Sequence, residues 1–308
     1  MKLSHLRDIL TVSEHGSLRA AGRYLGVAQP AITRSIREIE QELGVPLFER
    51  HAKGVRLTSM GEVFVRRART VESELRRARE EIEQLKGAAT GQVSIALSTA
   101  SSIALMPRIM PTFRRRYPDA LVKISESFFH AAESDILDGR TDFYVGPLDP
   151  SASGAKFAIE KLYDNGRWVM GRVGHPLAGA TSLADLADAR WVSPTLSTLN
   201  SDEAMRYSDI DLDDIFARFN LPGPRITVHA RSALIVMLAV IDSDLLTVLP
   251  QQWLDFPATA GRVVAFTAIP ALPAPTICIA RRLDVPLTPM AEYLYDLVHR
   301  VAAGISAR

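Results

Sequence analysis

The sequence predicts a multidomain chain with an all-α head, one long helix, and an α/β body in two lobes. Three observations carry this prediction. Residues 1–58 hold three short stretches of helical periodicity followed by a hairpin pattern. Residues 59–90 are highly charged and carry one narrow apolar stripe. From residue 91 onward, short β-branched runs alternate with helical stretches, as in a largely parallel sheet covered on both faces. At 308 residues the chain exceeds one ordinary domain.

In the head, Leu3, Leu6, Ile9, Leu10 and Ser13 follow helical spacing, predicting a helix over 3–14 that ends near Gly16. Ser17 suits the N-cap of a second helix, in which Ala20 and Ala21 are small enough for a close crossing. Leu25 closes that helix and Gly26 permits the turn. A third helix runs from Gln29 to Leu43, with Ile32, Ile36, Ile39 and Leu43 forming one apolar stripe. Pro30, Arg34, Arg37 and Gln41 fall on the opposite face, with Thr33 at its edge, and Pro30 suits the first turn. Leu47–Arg50 and Val55–Leu57 flank His51-Ala52-Lys53-Gly54, which reads as a two-stranded wing turning at Lys53-Gly54.

This order is that of a winged helix-turn-helix, which delivers its third helix to the major groove of duplex DNA. Gln29, Thr33, Arg34 and Arg37 are the candidate readers of bases and phosphates, with Ser17, Pro30 and Ala31 completing the set at the helix starts. Arg50, Lys53 and Arg56 are expected along phosphates, where they give affinity and orientation without sequence choice. A solvated surface is the simpler account of any charged helix face. The short helix before it and the basic wing after it favour readout. The charge distribution agrees: residues 1–70 hold 12 basic against 7 acidic residues, and the remainder 24 against 28.

Ser59-Met60-Gly61-Glu62 fits a capping box for the long helix, with Thr58 the competing cap. Phe64, Ala68, Val71, Leu75, Ala78, Ile82, Leu85 and Ala89 are then spaced alternately by 4 and 3, a heptad stripe flanked by Arg and Glu. So narrow a seam buries best against one similar helix. Phe64, Val71, Leu75, Ile82 and Leu85 are therefore the candidate dimerisation residues, packing on the chain's own body being the alternative. Gly87 to Gly91 ends the helix.

In the body, strands are expected at Val93–Leu97, Leu121–Ser125, Phe143–Val145, Trp168–Val173, Trp191–Val192, Ile226–His229, Val263–Thr267 and Thr276–Ala280. Helices are expected at Ser102–Tyr117, His130–Asp138, Leu183–Ala189, Leu212–Phe219, Ala233–Ile241 and Thr288–Ala303. Ligands of open α/β sheets bind beyond the carboxyl ends of strands. Ser98, Thr99, Ala100, Ser101 and Ser102 follow the first strand and open a helix, a hydroxyl-rich setting for an anion that also serves as a plain N-cap and turn. Phe128, Phe129, Pro147, Thr195 and Thr247 lie at other strand ends facing the same cleft, and the two phenylalanines suit an aromatic ligand unless they are core.

Ser17–Ala21, Leu25–Thr33, Leu43–Arg50, Leu57-Thr58 and Gly61 together resemble the LysR-type transcriptional regulators. The resemblance spans the whole length and is specific over the first 62 residues. It departs at Ala28, where the family usually has Ser, so the third helix lacks a side-chain cap, a loss of about 1 kcal/mol. The resemblance implies a DNA-binding domain over 1–58, a linker helix over 59–90 and a periplasmic-binding-protein-like effector domain over 91–308. Lobe I would be 91–163 with 268–308, and lobe II 164–267. It also implies binding to double-stranded promoter DNA modulated by a small-molecule effector, and a homodimer that assembles to a tetramer. The hydroxyl-rich helix start suggests an anionic effector, and the phenylalanine pair an aromatic one.

Catalysis finds no motif. The seven histidines show no metal-ligand spacing, Gly171-Arg172-Val173-Gly174 lacks the third glycine of a dinucleotide fingerprint, and no nucleophile elbow or phosphate loop occurs. No catalytic residue, metal or cofactor is therefore expected. Cys278 stands alone in an apolar run and reads as core, which fits a reducing compartment. No basic-then-apolar leader opens the chain and no uncharged run of about 18 residues occurs, so no membrane partner and a cytoplasmic location are expected. A solute-binding protein and an α/β enzyme with a helical appendage are the competing classes. The head argues against the first and the absence of catalytic motifs against the second.

Overall fold

The computed structural model describes residues 1–51, 54–149, 156–194, 212–230 and 232–306. The head packs α1 (Leu3–His15), α2 (Leu18–Leu25) and α3 (Gln29–Leu43) around Leu6, Ile9, Ala21, Ile32, Ile36 and Ile39. Ser17 caps α2, its hydroxyl accepting from the Ala20 N–H at 3.3 Å. Gly26 ends α2 at φ 67°, the left-handed geometry that the tight turn into α3 requires. No side chain caps α3 at Ala28. Leu43 is exposed, since it sits in the last turn, beyond the head core. The Glu40 carboxylate accepts from the Leu47 and Phe48 amides at 2.8 and 3.1 Å, tying α3 to the wing of β1 (Phe48–His51) and β2 (Gly54–Leu57).

The long helix α4 spans Ser59–Leu85. Its cap is Thr58 and not Ser59: the Thr58 hydroxyl accepts from the Gly61 amide at 3.0 Å and donates to the Pro46 carbonyl at 2.7 Å. An added Cβ at Gly61 would lie 2.0 Å from the Leu47 oxygen, so a glycine lets the helix start rest on the wing. The stripe of α4 divides along its length. Phe64 and Ala68 pack into the head's own core, which removes Phe64 from the free seam. Val71, Leu75, Ile82 and Leu85 stay exposed, from 38% at Leu75 to 74% at Leu85.

A second, polar face of α4 lies against the body. Arg77 donates to Asp142 at 2.8 Å, both side chains being buried, and the other Asp142 oxygen accepts from the Ser94 amide at 2.8 Å. Ser73 donates to the Gly139 carbonyl at 2.6 Å, Arg282 pairs with Glu74, and Gln84 accepts from the Met290 amide at 3.0 Å. Burial pushes the Asp142 carboxyl up and the Arg77 guanidinium down, and the opposite charge of each opposes the other's shift.

The body holds two sheets. In the first, β3 (Gln92–Leu97), β4 (Leu121–Glu126), β5 (Phe143–Pro147), β6 (Phe157–Tyr163) and β13 (Ile277–Arg282) take the order β4-β3-β5-β13-β6. In the second, β7 (Gly166–Arg172), β8 (Arg190–Pro194), β9 (Arg225–Ala230), β10 (Leu245–Pro250) and β11 (Val263–Ala265) take the order β11-β7-β10-β8-β9. Parallel pairing joins β3 to β4 and β5, and β8 to β9 and β10. Strands that return from the other lobe enter in the opposite sense, so β13 runs antiparallel to β5 and β6, and β7 to β10 and β11. β12 (Leu272–Pro273) pairs with β7, so the second sheet extends past residue 267 and the chain crosses back only after Pro273.

Helices α5 (Thr99–Arg116) and α9 (Pro289–Ser306) cover the first sheet through Leu105, Ile109, Phe113, Leu294 and Val298. α6 (Phe129–Leu137) packs on its other side. α7 (Leu212–Arg218) and α8 (Ala233–Ile241) bury Phe216, Val236 and Met237 against the second sheet. α5 begins three residues before the expected Ser102. The expected helix at Leu183–Ala189 is a single 3₁₀ turn, Ala184–Leu186, with the Asp185 carboxylate accepting from the Thr181 and Ser182 amides.

Arg77→Met leaves Asp142 buried without its cation and is expected to destabilise the effector domain by about 3–5 kcal/mol. Arg77→Met combined with Asp142→Asn should regain much of that loss in urea unfolding. Equal midpoints for the parent and the single variant would mean that the pair is not buried in solution.

Candidate nucleic-acid interface and ligand pocket

The exposed face of α3 and the wing form a shallow concavity lined by Gln29, Pro30, Thr33, Arg34, Arg37, Glu38, Gln41 and Arg50. Six sequence candidates thus meet on one surface. Ala31 is exposed next to it, and Thr33 bonds back to the Gln29 carbonyl at 3.0 Å. Arg34 donates through Nε to Glu38 at 2.7 Å. Ser17 lies outside the concavity, with its oxygen engaged in the α2 cap. The wing register sets Glu49 opposite Arg56 and Arg50 opposite Val55. Side chains alternate along a strand, so Arg50 and Arg56 point to opposite faces of the hairpin and do not follow one line of phosphates. Arg50 joins the α3 surface, while Arg56 shares its face with Glu49 and His51. Lys53 lies outside the described residues.

Between the lobes is a cavity of about 130 Å³. Ser98, Thr99 and Ala100 at the start of α5, with Phe128 and Pro147, form the first lobe's wall. Pro194, Ala233, Val248, Leu249, Pro250 and Trp253 form the second. Asn165, Ala274 and Pro275 of the crossing segments, with Arg167 and Ile277 at the starts of β7 and β13, close it. Most of this surface is apolar. Its charges are Arg167, a buried cation, and Glu126, an exposed carboxylate at the end of β4.

Five of the ten expected effector contacts line the cavity and four do not. Ser101 is fully buried behind it, bonded to the Ser98 hydroxyl at 2.8 Å, and Ser102 lies within the first turn of α5. Phe129 is core, edge-on to Tyr144 and Phe157. Thr247 is fully buried in β10, away from the cavity. Thr195 lies outside the described residues. The hydroxyl cluster is thus largely self-satisfied: Ser98 caps α5 by accepting from the Ser101 amide, and Thr99 donates to Glu126. A carboxylate beside that helix start opposes an anion there. Arg167 is the group that favours one, and nothing in the sequence around it signalled the role. Asn165, Trp253 and the crossing residues were missed likewise, because they meet only after the chain crosses between sheets, and Glu126 was missed although it ends β4 beside Leu97 in the same sheet.

Among the described residues lining this cavity there is no cysteine or histidine to begin covalent chemistry. Cys278 is buried in β13, donates to the Leu148 carbonyl at 3.4 Å, and is pushed up to about 11 by burial. No cluster of three metal-ligating side chains occurs among the described residues.

A winged head with an exposed basic face, joined by a long helix to a two-lobed body with a cavity between the lobes, defines a DNA-binding regulator with a sensor domain. Residues 3–62 match the family described as bacterial regulatory helix-turn-helix protein, lysR family, and residues 86–303 match the LysR substrate binding domain. The chain belongs to the LysR family of transcriptional regulators. It is 29% identical to the regulator GbpR of Azospirillum brasilense over 80% of this chain and 71% of that one. It is 33% identical to PcaQ of Agrobacterium fabrum, over 58% of this chain and 57% of that one. CbnR in complex with its target DNA superposes with a TM-score of 0.66 at 19% identity, covering 98% of this chain and 100% of that one. A full-length OxyR variant of Pseudomonas aeruginosa gives 0.68 at 23% identity, covering 98% and 94%. These structures share the fold.

Arg34→Ala is expected to weaken specific binding by about 1–3 kcal/mol and to relax choice at one base pair. Arg50→Ala should weaken all duplexes alike and lower the salt slope of log K by about one, while Arg56→Ala, on the far face, leaves the slope nearly unchanged. Fluorescence anisotropy of labelled duplexes across a salt series reads both. Equal slope changes for Arg50→Ala and Arg56→Ala would contradict the two-faced wing.

Proposed function

We propose that this regulator reads promoter DNA through the α3 face as a homodimer, and that a compact organic acid in the interlobe cavity modulates that binding. The observation that carries the reading is the exposed polar face of α3, set above a buried stripe and continued by Arg50. It acts as a binding protein and not as an enzyme. No helix among the described residues is long and apolar enough to cross a membrane, and we assign it to the cytoplasm, where its DNA is.

The exposed seam of α4 supports dimerisation. Val71, Leu75, Ile82 and Leu85 repeat with heptad spacing and face away from the chain's own body. A parallel or antiparallel partner helix would cover them and bring two heads to one two-fold site. A further apolar face, Leu234, Ile235 and Leu238 on α8, supports contacts between effector domains in a tetramer. The parent protein should retard the duplex upstream of its own gene. Leu75→Glu buries a charge in the seam and should sediment as a monomer with operator affinity lost. An intact dimer would place the interface elsewhere.

The size and lining of the cavity support the effector class. About 130 Å³ is near the volume of a cavity that holds one benzene ring. Phe128, Trp253 and the prolines suit an apolar or aromatic body, and Arg167 suits a carboxylate. Sodium benzoate should raise the unfolding temperature of the parent and benzyl alcohol should not. Ala233→Phe fills the cavity and should abolish the benzoate shift while leaving DNA binding intact. Equal shifts from both compounds would remove the acid requirement.

A further inference from the structure

Among the described residues, Glu38 is the one acidic side chain lining the α3 concavity. A carboxylate on a surface that meets phosphates opposes binding by simple repulsion. Its geometry shows what it does instead. One oxygen accepts from Arg34 Nε at 2.7 Å, and the other lies 3.4 Å from Nε2 of His5 on α1. The His5 side chain is mostly buried, at 11% exposure, so the carboxylate rests against α1 behind it. The hydrogen bond from Arg34 is the largest cause holding Glu38 below the ordinary glutamate range; desolvation opposes it, and the nearby cationic charges add to it. The Arg34 side chain is otherwise 83% exposed, a long flexible arm with a single anchor.

A guanidinium has one Nε and two Nη edges. With Nε engaged by Glu38 and the side chain 83% exposed, the two Nη groups are left to act as an end-on fork. That fork matches the O6 and N7 acceptors on the major-groove edge of guanine, the commonest arginine contact in sequence-specific readout. A fixed fork also loses less rotamer freedom on binding than a free arginine.

We infer that Glu38 is a positioning residue that makes Arg34 selective for one guanine. This rests on the reading that the α3 face meets base edges. A lone carboxylate that accepted from the N4 amino group of cytosine would instead specify a different base pair by itself. The two roles predict different patterns of lost preference.

The test is selection of bound duplexes from a randomised pool by the full-length protein, for the parent, Arg34→Ala, Glu38→Gln, Glu38→Ala and the Arg34→Ala/Glu38→Ala double variant. Anisotropy on the selected and the random duplexes follows. Arg34→Ala should lose about tenfold of the preference for guanine at one position. Both Glu38 variants should lose most of that preference at the same position, and the double variant no more than Arg34→Ala alone. The Glu38 variants should bind random duplex as tightly as the parent or more tightly, since a negative charge has gone. Circular dichroism should show parent-like melting, because Glu38 lies at the helix surface. Glu38 variants that keep the parent's guanine preference would overturn the inference, as would loss of preference at a base pair that Arg34→Ala leaves untouched. Unchanged preferences in Arg34→Ala itself would instead overturn the assignment of the reading face, and the inference with it.

Discussion

Arg77 and Asp142 are both buried where α4 meets the body, and neither charge is tolerable there without the other. Asp142 also accepts from the Ser94 amide, so the pair ties the long helix to a central strand of the first sheet. Ser73 on Gly139, Glu74 with Arg282 and Gln84 on the Met290 amide extend the attachment along more than one turn. Polar contacts of this kind are directional. They fix the rotation of α4 about its own axis in a way that an apolar stripe alone does not. Once that rotation is set, the heptad seam must face outward, and the head at the other end of the helix is oriented with it.

The seam illustrates why charge and hydrophobicity have to be read together on a helix. Its spacing is uniform from Phe64 to Leu85 in the sequence, yet the two ends have different fates. Near the head, Phe64 and Ala68 are used by the three-helix core, where Val65 already points. Past Val71 the body offers a polar surface, so contacts with it fall to buried Ser73 and Arg77 and half-buried Gln84, and the apolar residues stay exposed. A sequence repeat fixes which residues share a face; it does not say which surface claims that face first.

The head is the most legible part of the chain because its signals are local. Ser17 caps where its side chain predicts, Gly16, Gly26 and Gly44 end helices where a left-handed residue is needed, and Ile32, Ile36 and Ile39 are buried with the spacing they show in the sequence. Differences there are small and physical: Thr58 outcompetes Ser59 because it bonds Pro46 as well. The opposite facing of Arg50 and Arg56 follows from strand alternation and is readable in principle. In the body, composition reveals strands but not their direction, because antiparallel entry of β7 and β13 is a property of the two crossings. β6 and β12 carry too few β-branched residues to be seen.

The interlobe cavity is only half legible for the same reason. Strand ends on one lobe can be predicted to face a cleft, and Ser98, Thr99, Phe128 and Pro147 do. What the sequence conceals is that hydroxyls cluster there to satisfy one another. Ser98 and Ser101 close a cap, and Thr99 is bonded to Glu126, so the helix start is chemically quieter than its composition suggests. The buried cation comes from Arg167, the second residue of β7 after the first crossing, and Ala274 and Pro275 come from the second crossing. A molecule in this cavity would touch the crossing segments and both lobes at once. Its interaction energy depends on the angle between the lobes, which is the requirement for a ligand to shift a conformational equilibrium. With α4 fastened to the first lobe through Arg77, a change in that angle is a movement of the second lobe against the helix that carries the head.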